Sequence, residues 1–285
     1  MSRRSIAATG DGSQGWDDYA PYYDWENART IGTRDVGFWK RIVAAARGTV
    51  LELGCGSGRV LVPVSRTSGF VAAENRGRKR DRRSLLIGID RSAPMLGLAR
   101  RRVARRHPSR RPILIRGDIR AIPLRTASVD RVIAPYGILQ SLIRKPDLSR
   151  TLAETARVLR PGGLFIADLV PDLPKWEPYQ RQVRLHGRHG TGQVTLVESV
   201  RQDRRRGLTT FEEEFVEAGP PPSADSPRRV RIAARFSLTF RTVPMTEIRR
   251  RVERAGFRVE RILGGYRGQR WTSASETWLI VARRQ

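Results

Sequence analysis

The sequence predicts an α/β fold: a parallel sheet with helices on both faces, carrying an antiparallel β insert after its fifth strand. Three observations predict it. Short apolar runs alternate with helical patterns through the first two thirds of the 285 residues. The first of these runs ends in a glycine-rich turn, VLELGCGSGRVLVPV (50–64). From 181 to 243 the pattern changes to polar–apolar alternation, the period of half-buried antiparallel strands.

TVLEL (49–53) reads as a short buried strand and GRVLVPVSR (58–66) as the helix after it, bent or shortened by Pro63. LLIGID (85–90) is a second strand. APMLGLARRRVARR (93–106) is an amphipathic helix, with Ser92 as N-cap and Pro94 in its first turn. ILIRG (113–117) and VDRVIAPY (129–136) are strands three and four. DLSRTLAETARVLR (147–160) is a helix stopped by Pro161-Gly162-Gly163, and LFIADLV (164–170) is strand five. The insert follows as QVTLVESV, LTTFEEEFVEA and RVRIAARFSLTF, with GPPPSADSPRR (219–229) as a mobile loop. MTEIRRRVERAG (245–256) is a helix, and FRVERILGG (257–265) and SETWLIVARR (275–284) are strands that complete the first sheet. The expected division is a tail and aromatic cap segment (1–46), an α/β core (47–175), the β insert (176–243) and a closing helix and two strands (244–285).

In sheets of this kind ligands bind beyond the carboxyl ends of the strands. Gly54-Cys55-Gly56-Ser57-Gly58 sits there, where glycines permit a tight turn and close approach of a ligand to the backbone. Position 59, where a dinucleotide fingerprint needs its third glycine, is arginine, which disfavours a pyrophosphate. Asp90 ends strand two, where an acid can bind both hydroxyls of a ribose. Asp118 follows strand three, where an acid can accept from an adenine amino group, and Ile119 can pack on the ring. The pattern describes an adenosine without phosphates.

Taken together, E-L-G-C-G-S-G, G-I-D-R-S-A-P-M-L, G-D-I-R and V-L-R-P-G-G-L resemble the class I S-adenosylmethionine-dependent methyltransferases of the small-molecule type, over roughly residues 36 to 170. The resemblance implies a Rossmann-like sheet and S-adenosyl-L-methionine as cofactor. It places Gly54, Cys55 and Gly56 at the methionyl part, with Glu52 as the acid before the loop. Asp90 and Arg91 would lie at the ribose, Met95 near the cofactor, Asp118 and Ile119 at adenine, and Ala134 at the end of strand four. In related enzymes a tyrosine-bearing N-terminal segment covers the cofactor. Among Trp16, Tyr19, Tyr22, Tyr23 and Trp25, the candidates are Tyr19 and Tyr22.

The acceptor is read from what surrounds this core. Enzymes that methylate nucleobase amino groups often carry Asn/Asp-Pro-Pro-aromatic after strand four; this chain has Ala134-Pro135-Tyr136-Gly137, which points to a small-molecule acceptor instead. Tyr136 and His186 are the candidate catalytic residues, and Trp176, Tyr179, Tyr266 and Trp271 candidate acceptor contacts. The net charge of +27, with only four lysines among 55 basic residues, keeps open an alternative in which arginine-rich surfaces dock RNA or another nucleic acid. The dense clusters are RGRKRDRR (76–83) and RRRVARRHPSRR (100–111). The other reading is arginine scattered over every surface. Glu212, Glu213 and Glu214 either pair with neighbouring arginines or offset a cationic acceptor such as an amine, and alternation turns Glu213 away from the other two.

No apolar run reaches 18 residues, so no membrane span is expected. MSRRSIAATGDGSQG lacks the apolar centre of a secretory signal and reads as a flexible tail. One cysteine excludes an internal disulfide, and three histidines without matched spacing give no metal site. A cytoplasmic protein is expected.

Overall fold

A computed structural model describes residues 10–67, 85–106, 108, 111–170, 177–218 and 230–285. The arginine-rich loop 76–83, His107, Trp176 and the segment 219–229 lie outside the described residues.

Strands β1 (Val50–Leu53), β2 (Leu86–Asp90), β3 (Ile113–Arg116), β4 (Val129–Ala134), β5 (Leu159–Leu169), β10 (Phe257–Leu263) and β11 (Trp278–Arg284) form one seven-stranded sheet in the order β10-β11-β5-β4-β1-β2-β3. β1 pairs with β2 on one side and β4 on the other, both parallel, so the strand order reverses at β1. That reversal opens a crevice at the carboxyl ends of β1 and β4. β11 runs antiparallel to both β5 and β10, so the sheet is mixed at that edge and not wholly parallel as the alternation implied. β1 is buried along its whole length, as a strand covered on both faces must be. On one face lie α2 (Val36–Ala44), α3 (Leu61–Val64) and α4 (Ala93–Ala104), packing Trp39, Leu61 and Leu96 against it; on the other, α5 (Lys145–Val158) and α6 (Met245–Arg254) bring Leu152 and Val252.

Two boundaries differ from expectation. α3 is only four residues, shorter than the expected 58–66, and the glycine turn and Val60 precede its start. β5 begins at Leu159 and carries Pro161-Gly162-Gly163 within it: α5 stops at Val158, and the chain already pairs Leu159 with Val129.

Strands β6 (Tyr179–His189), β7 (Gly192–Asp203), β8 (Leu208–Ala218) and β9 (Val230–Arg241) form a separate antiparallel sheet. Its inner face buries Val194, Leu196, Phe215, Phe236 and Leu238 against α1 (Trp16–Asn27). α1 is therefore covered on more than one side, which is why Tyr19, Tyr22, Tyr23 and Trp25 are all buried. Residues 10–15, expected as part of a flexible tail, are packed: Asp11 pairs with Arg91 and Arg120.

Gly88 on β2 faces the start of α3. A Cβ there would meet Leu61 Cδ2 at 2.6 Å and Cys55 Sγ at 2.8 Å. Gly88→Val is expected to cost about 1–3 kcal/mol through overpacking. Equilibrium urea unfolding measures it, and an unchanged midpoint contradicts this packing.

Candidate cofactor and acceptor site

After β1 the chain turns sharply, with φ of 62° at Gly54, 52° at Gly56 and 77° at Gly58. Side chains rarely adopt these conformations, and a Cβ on Gly54 would also meet Ile138 at 2.5 Å. The turn is anchored from β2. Asp90 Oδ2 accepts the Gly56 N–H at 2.7 Å, and Oδ1 accepts the Ser92 N–H at 2.8 Å. Ser92 caps α4 by accepting from Met95 N. Burial pushes the Asp90 carboxyl above its usual range, against the hydrogen bonds from Ser92 and Gly56.

Beyond these strand ends lies a cavity of about 330 Å³, within the range of small-ligand sites. Gly54, Gly56, Asp90, Arg91, Met95, Asp118, Ile119 and Tyr136, all singled out from the sequence, line it. Asp118 is not free to face a ligand with both oxygens: Arg120 donates to it from Nε and Nη2, the latter at 2.6 Å. Burial raises this carboxyl, but the hydrogen bonds from Arg120 outweigh it and hold it below its usual range.

Other expected residues lie elsewhere. Tyr19 and Tyr22 do not line the cavity: Tyr19 donates to Glu26, and Tyr22 stacks on Phe215 at 4.1 Å and donates to Glu217. Trp16 and Tyr23 take the cavity wall instead, because the period of the helix puts residues 16 and 23 on a common side while Tyr22 falls toward the insert. Cys55 and Ala134 are buried behind the wall, since both continue the packing of buried strand ends. Glu52 is buried at the foot of the loop, also outside the lining, and its Oε2 has no partner among the described residues. Burial pushes its carboxyl well up. His186 is exposed on edge strand β6 and bonded to Thr195 at 2.8 Å, because alternation turns inward its neighbour Leu185 instead.

Several cavity residues escaped sequence reasoning. Asp11, Gly12 and Ser13 close one end. Arg120 ties Asp11, Asp118 and Asp147 together at 2.6–2.9 Å. Arg59, the residue in place of a third glycine, forms a bidentate pair with buried Asp35 and lies 4.9 Å over the Tyr136 ring. The segment after β4 is held from below: Asp168 accepts from Gly137 N at 2.8 Å and from the Tyr266 hydroxyl at 2.6 Å. This lets Tyr136 keep a left-handed φ of 59°.

Burial pushes the Asp168 carboxyl up to about 6, against its hydrogen bonds from Tyr266 and Gly137. A raised acid costs no stability below its unfolded pKa, and its cost grows as pH rises toward the folded value and is complete above it. Asp168→Asn is expected to flatten the fall in Tm between about pH 4 and about pH 6. An unchanged slope contradicts a buried, titrating Asp168.

Comparison with known proteins agrees with this geometry. Residues 50–163 match the family described as Methyltransferase domain. The chain is 30% identical over 186 residues to the demethylmenaquinone methyltransferase of Lactiplantibacillus plantarum, covering 61% of this chain and 71% of that protein. It is 31% identical over 153 residues to O-methyltransferase cnsE of Penicillium expansum, covering 52% of this chain but only 48% of that one. The CcbJ methyltransferase of Streptomyces caelestis superposes with a TM-score of 0.70 at 17% identity, over 94% of this chain and 97% of its own, a likeness of fold. The chain belongs to the class I S-adenosylmethionine-dependent methyltransferases. Its cofactor is S-adenosyl-L-methionine.

Proposed function

We propose that the chain methylates a nitrogen or oxygen of a small metabolite, and that the cavity at the ends of β1 to β4 holds both cofactor and acceptor. The observation that carries this is the convergence of the glycine turn, Asp90, Met95, Asp118 and Tyr136 on one wall. The residues present fit the cofactor. The Gly54–Gly56 backbone offers close approach for its methionyl part, and the orphaned Glu52 carboxylate lies at the foot of that turn. Asp90 would take the ribose hydroxyls, with Arg91 beside it, while Met95 and Ile119 pack on the adenosine. Asp118 would meet the adenine amino group with the lone pairs that Arg120 leaves. When bound, S-adenosylmethionine supplies a methyl group on a sulfonium, so the protein's part is alignment and exclusion of water. Trp16 and Tyr23 do the second from α1. Tyr136, at the cavity and braced by Arg59, is the candidate to contact the acceptor.

The names of the matched relatives support a small-molecule acceptor. Among the described residues the arginines do not gather into a docking surface of their own in the insert. Many arginines of the insert are spent on neighbouring acids, as in Arg181 with Glu214, Arg201 with Glu212 and Arg231 with Glu217. Among the described residues no helix is long and apolar enough to cross a membrane. A cytoplasmic site of action belongs to the same proposal and rests on the single, buried, unbridged cysteine. Incubation with methyl-deuterated S-adenosylmethionine, a small-metabolite extract and total RNA tests the reading. Label is expected in the small-molecule fraction; label confined to RNA contradicts it.

A further inference from the structure

The acidic run of β8 splits into two environments. Glu212 and Glu214 face outward onto Arg201, Arg181 and Arg235. Glu213 turns inward beside Phe215 and is only 4% exposed. There it stands directly opposite Glu198 of β7, which is also buried. Like charges directly opposed across two strands are destabilising, and more so when buried. A third carboxylate, Glu26 of α1, adds its charge to both.

The local partners do not neutralise this group. Glu198 has the Tyr179 hydroxyl and Arg184 at 3.3 Å. Among the described residues the Glu26 carboxylate accepts only from the Tyr19 hydroxyl, at 2.7 Å. Among the described residues neither Glu26 nor Glu213 forms an ion pair, and Glu213 Oε2 has no hydrogen-bond partner at all. Burial pushes the Glu26 carboxyl up to about 7 and the Glu213 carboxyl well above its usual range, with the neighbouring carboxylates adding to both. An acid buried without a partner is costly, and a fold that keeps one has a use for it.

None of the three carboxylates lines the cavity, but aromatic rings of α1 link them to it. Trp16, Tyr19, Tyr23 and Glu26 succeed one another at three- and four-residue steps along one side of α1. Trp16 and Tyr23 line the cavity. The Tyr19 ring meets Tyr23 edge-on at 5.2 Å, and Tyr23 meets Tyr136 at 6.5 Å. Glu26 is near enough for its charge to bear on the Tyr136 hydroxyl. Among the described residues no group of His, Cys, Asp or Glu is placed to hold a metal ion.

We infer that Glu213 and Glu26 form an ammonium-recognition subsite, so that the small acceptor of the proposed reaction carries a protonated amine. Its N–H groups would satisfy the orphaned Glu213 oxygen and relieve the opposition of Glu198 and Glu213. The inference rests on the small-molecule reading above and narrows it to cationic acceptors.

The test compares 2-phenylethylamine with 2-phenylethanol, which share a carbon skeleton and differ in charge, by calorimetric titration of the full chain with and without S-adenosylhomocysteine. The wild type is expected to bind the amine about tenfold or more tightly than the alcohol, the scale of one charge-assisted hydrogen bond. Glu213→Gln is expected to abolish that preference, and Glu212→Gln, on the outer face, to keep it. Glu213→Gln is also expected to raise Tm, because a carboxyl whose pKa is raised by folding costs stability at neutral pH and an amide does not. Equal response to the two probes, including no response to either, overturns the inference, as does a preference that survives in Glu213→Gln. A lowered Tm in that variant assigns Glu213 a structural role and overturns it too. Failure of S-adenosylhomocysteine to bind would show before either probe is added, and it bears on the cofactor site alone.

Discussion

Replacing Asp90 by alanine is expected to weaken S-adenosylhomocysteine binding by about 1–3 kcal/mol in a chain that remains folded. Two losses combine. Direct contacts to the ribose hydroxyls disappear, each worth more than a neutral hydrogen bond because the acceptor is ionised. The Gly56 and Ser92 N–H groups also lose their acceptor, so the glycine turn and the start of α4 lose the brace that joins them. Asp90→Asn separates the two. Its amide oxygen can still accept one of these N–H groups, so it should bind better than the alanine variant and worse than the wild type. Calorimetry measures the effect, and unchanged affinity in folded Asp90→Ala contradicts the placing of the ribose.

Arg120→Met is expected to lower stability by about 2 kcal/mol and to loosen the end of the cavity made by Asp11–Ser13. The methionine keeps the aliphatic stem but removes the cation shared by Asp11, Asp118 and Asp147. Arg91 remains, at 2.6 Å from Asp11 but 4.0 Å from Asp118, so one carboxylate keeps a close partner and two do not. The figure is set below that for a fully buried pair because Asp118 is one-third exposed. The pH sign follows. The Asp11 and Asp118 carboxyls are held below their usual range: burial raises each, and the hydrogen bonds from Ser13, Arg91 and Arg120 outweigh it. Depressed acids stabilise above their unfolded pKa, and that contribution is lost as pH falls through the folded value. Wild type should therefore lose this increment only in acid, and Arg120→Met should already lack the Asp118 share of it at neutral pH, while Asp11 keeps Ser13 and Arg91. Urea unfolding with proteolysis near residue 12 reports both effects. A variant with wild-type stability and protection contradicts the role given to Arg120.

What the sequence made legible was local. Gly54, Gly56, Asp90, Arg91, Met95, Asp118 and Ile119 all lie at the ends of strands or one turn beyond, so reading the strands located them and the topology then brought them to one cavity. The β insert was legible because two-residue alternation is strong in β7, β8 and β9, and the same alternation turned Glu213 inward. The rest depends on distant contacts. Arg120 meets Asp11 across 109 residues. Arg59 finds Asp35 only once α2 has packed against α3. The choice between Tyr22 and Tyr23 at the cavity was hidden by composition, because aromatic residues cover both the cavity side and the insert side of α1. Residues 10–15 carry no apolar pattern at all, and ion pairs with Arg91 and Arg120 are what order them.

The most direct test of the central claim is calorimetric titration of the wild-type chain with S-adenosylhomocysteine, with and without total RNA. The expected result is one site per chain with a Kd on the order of micromolar, the same in both conditions and weakened in Asp90→Ala. No binding by a folded sample, or binding that requires RNA, would contradict a cofactor cavity built at the ends of β1 to β4 to serve a small acceptor.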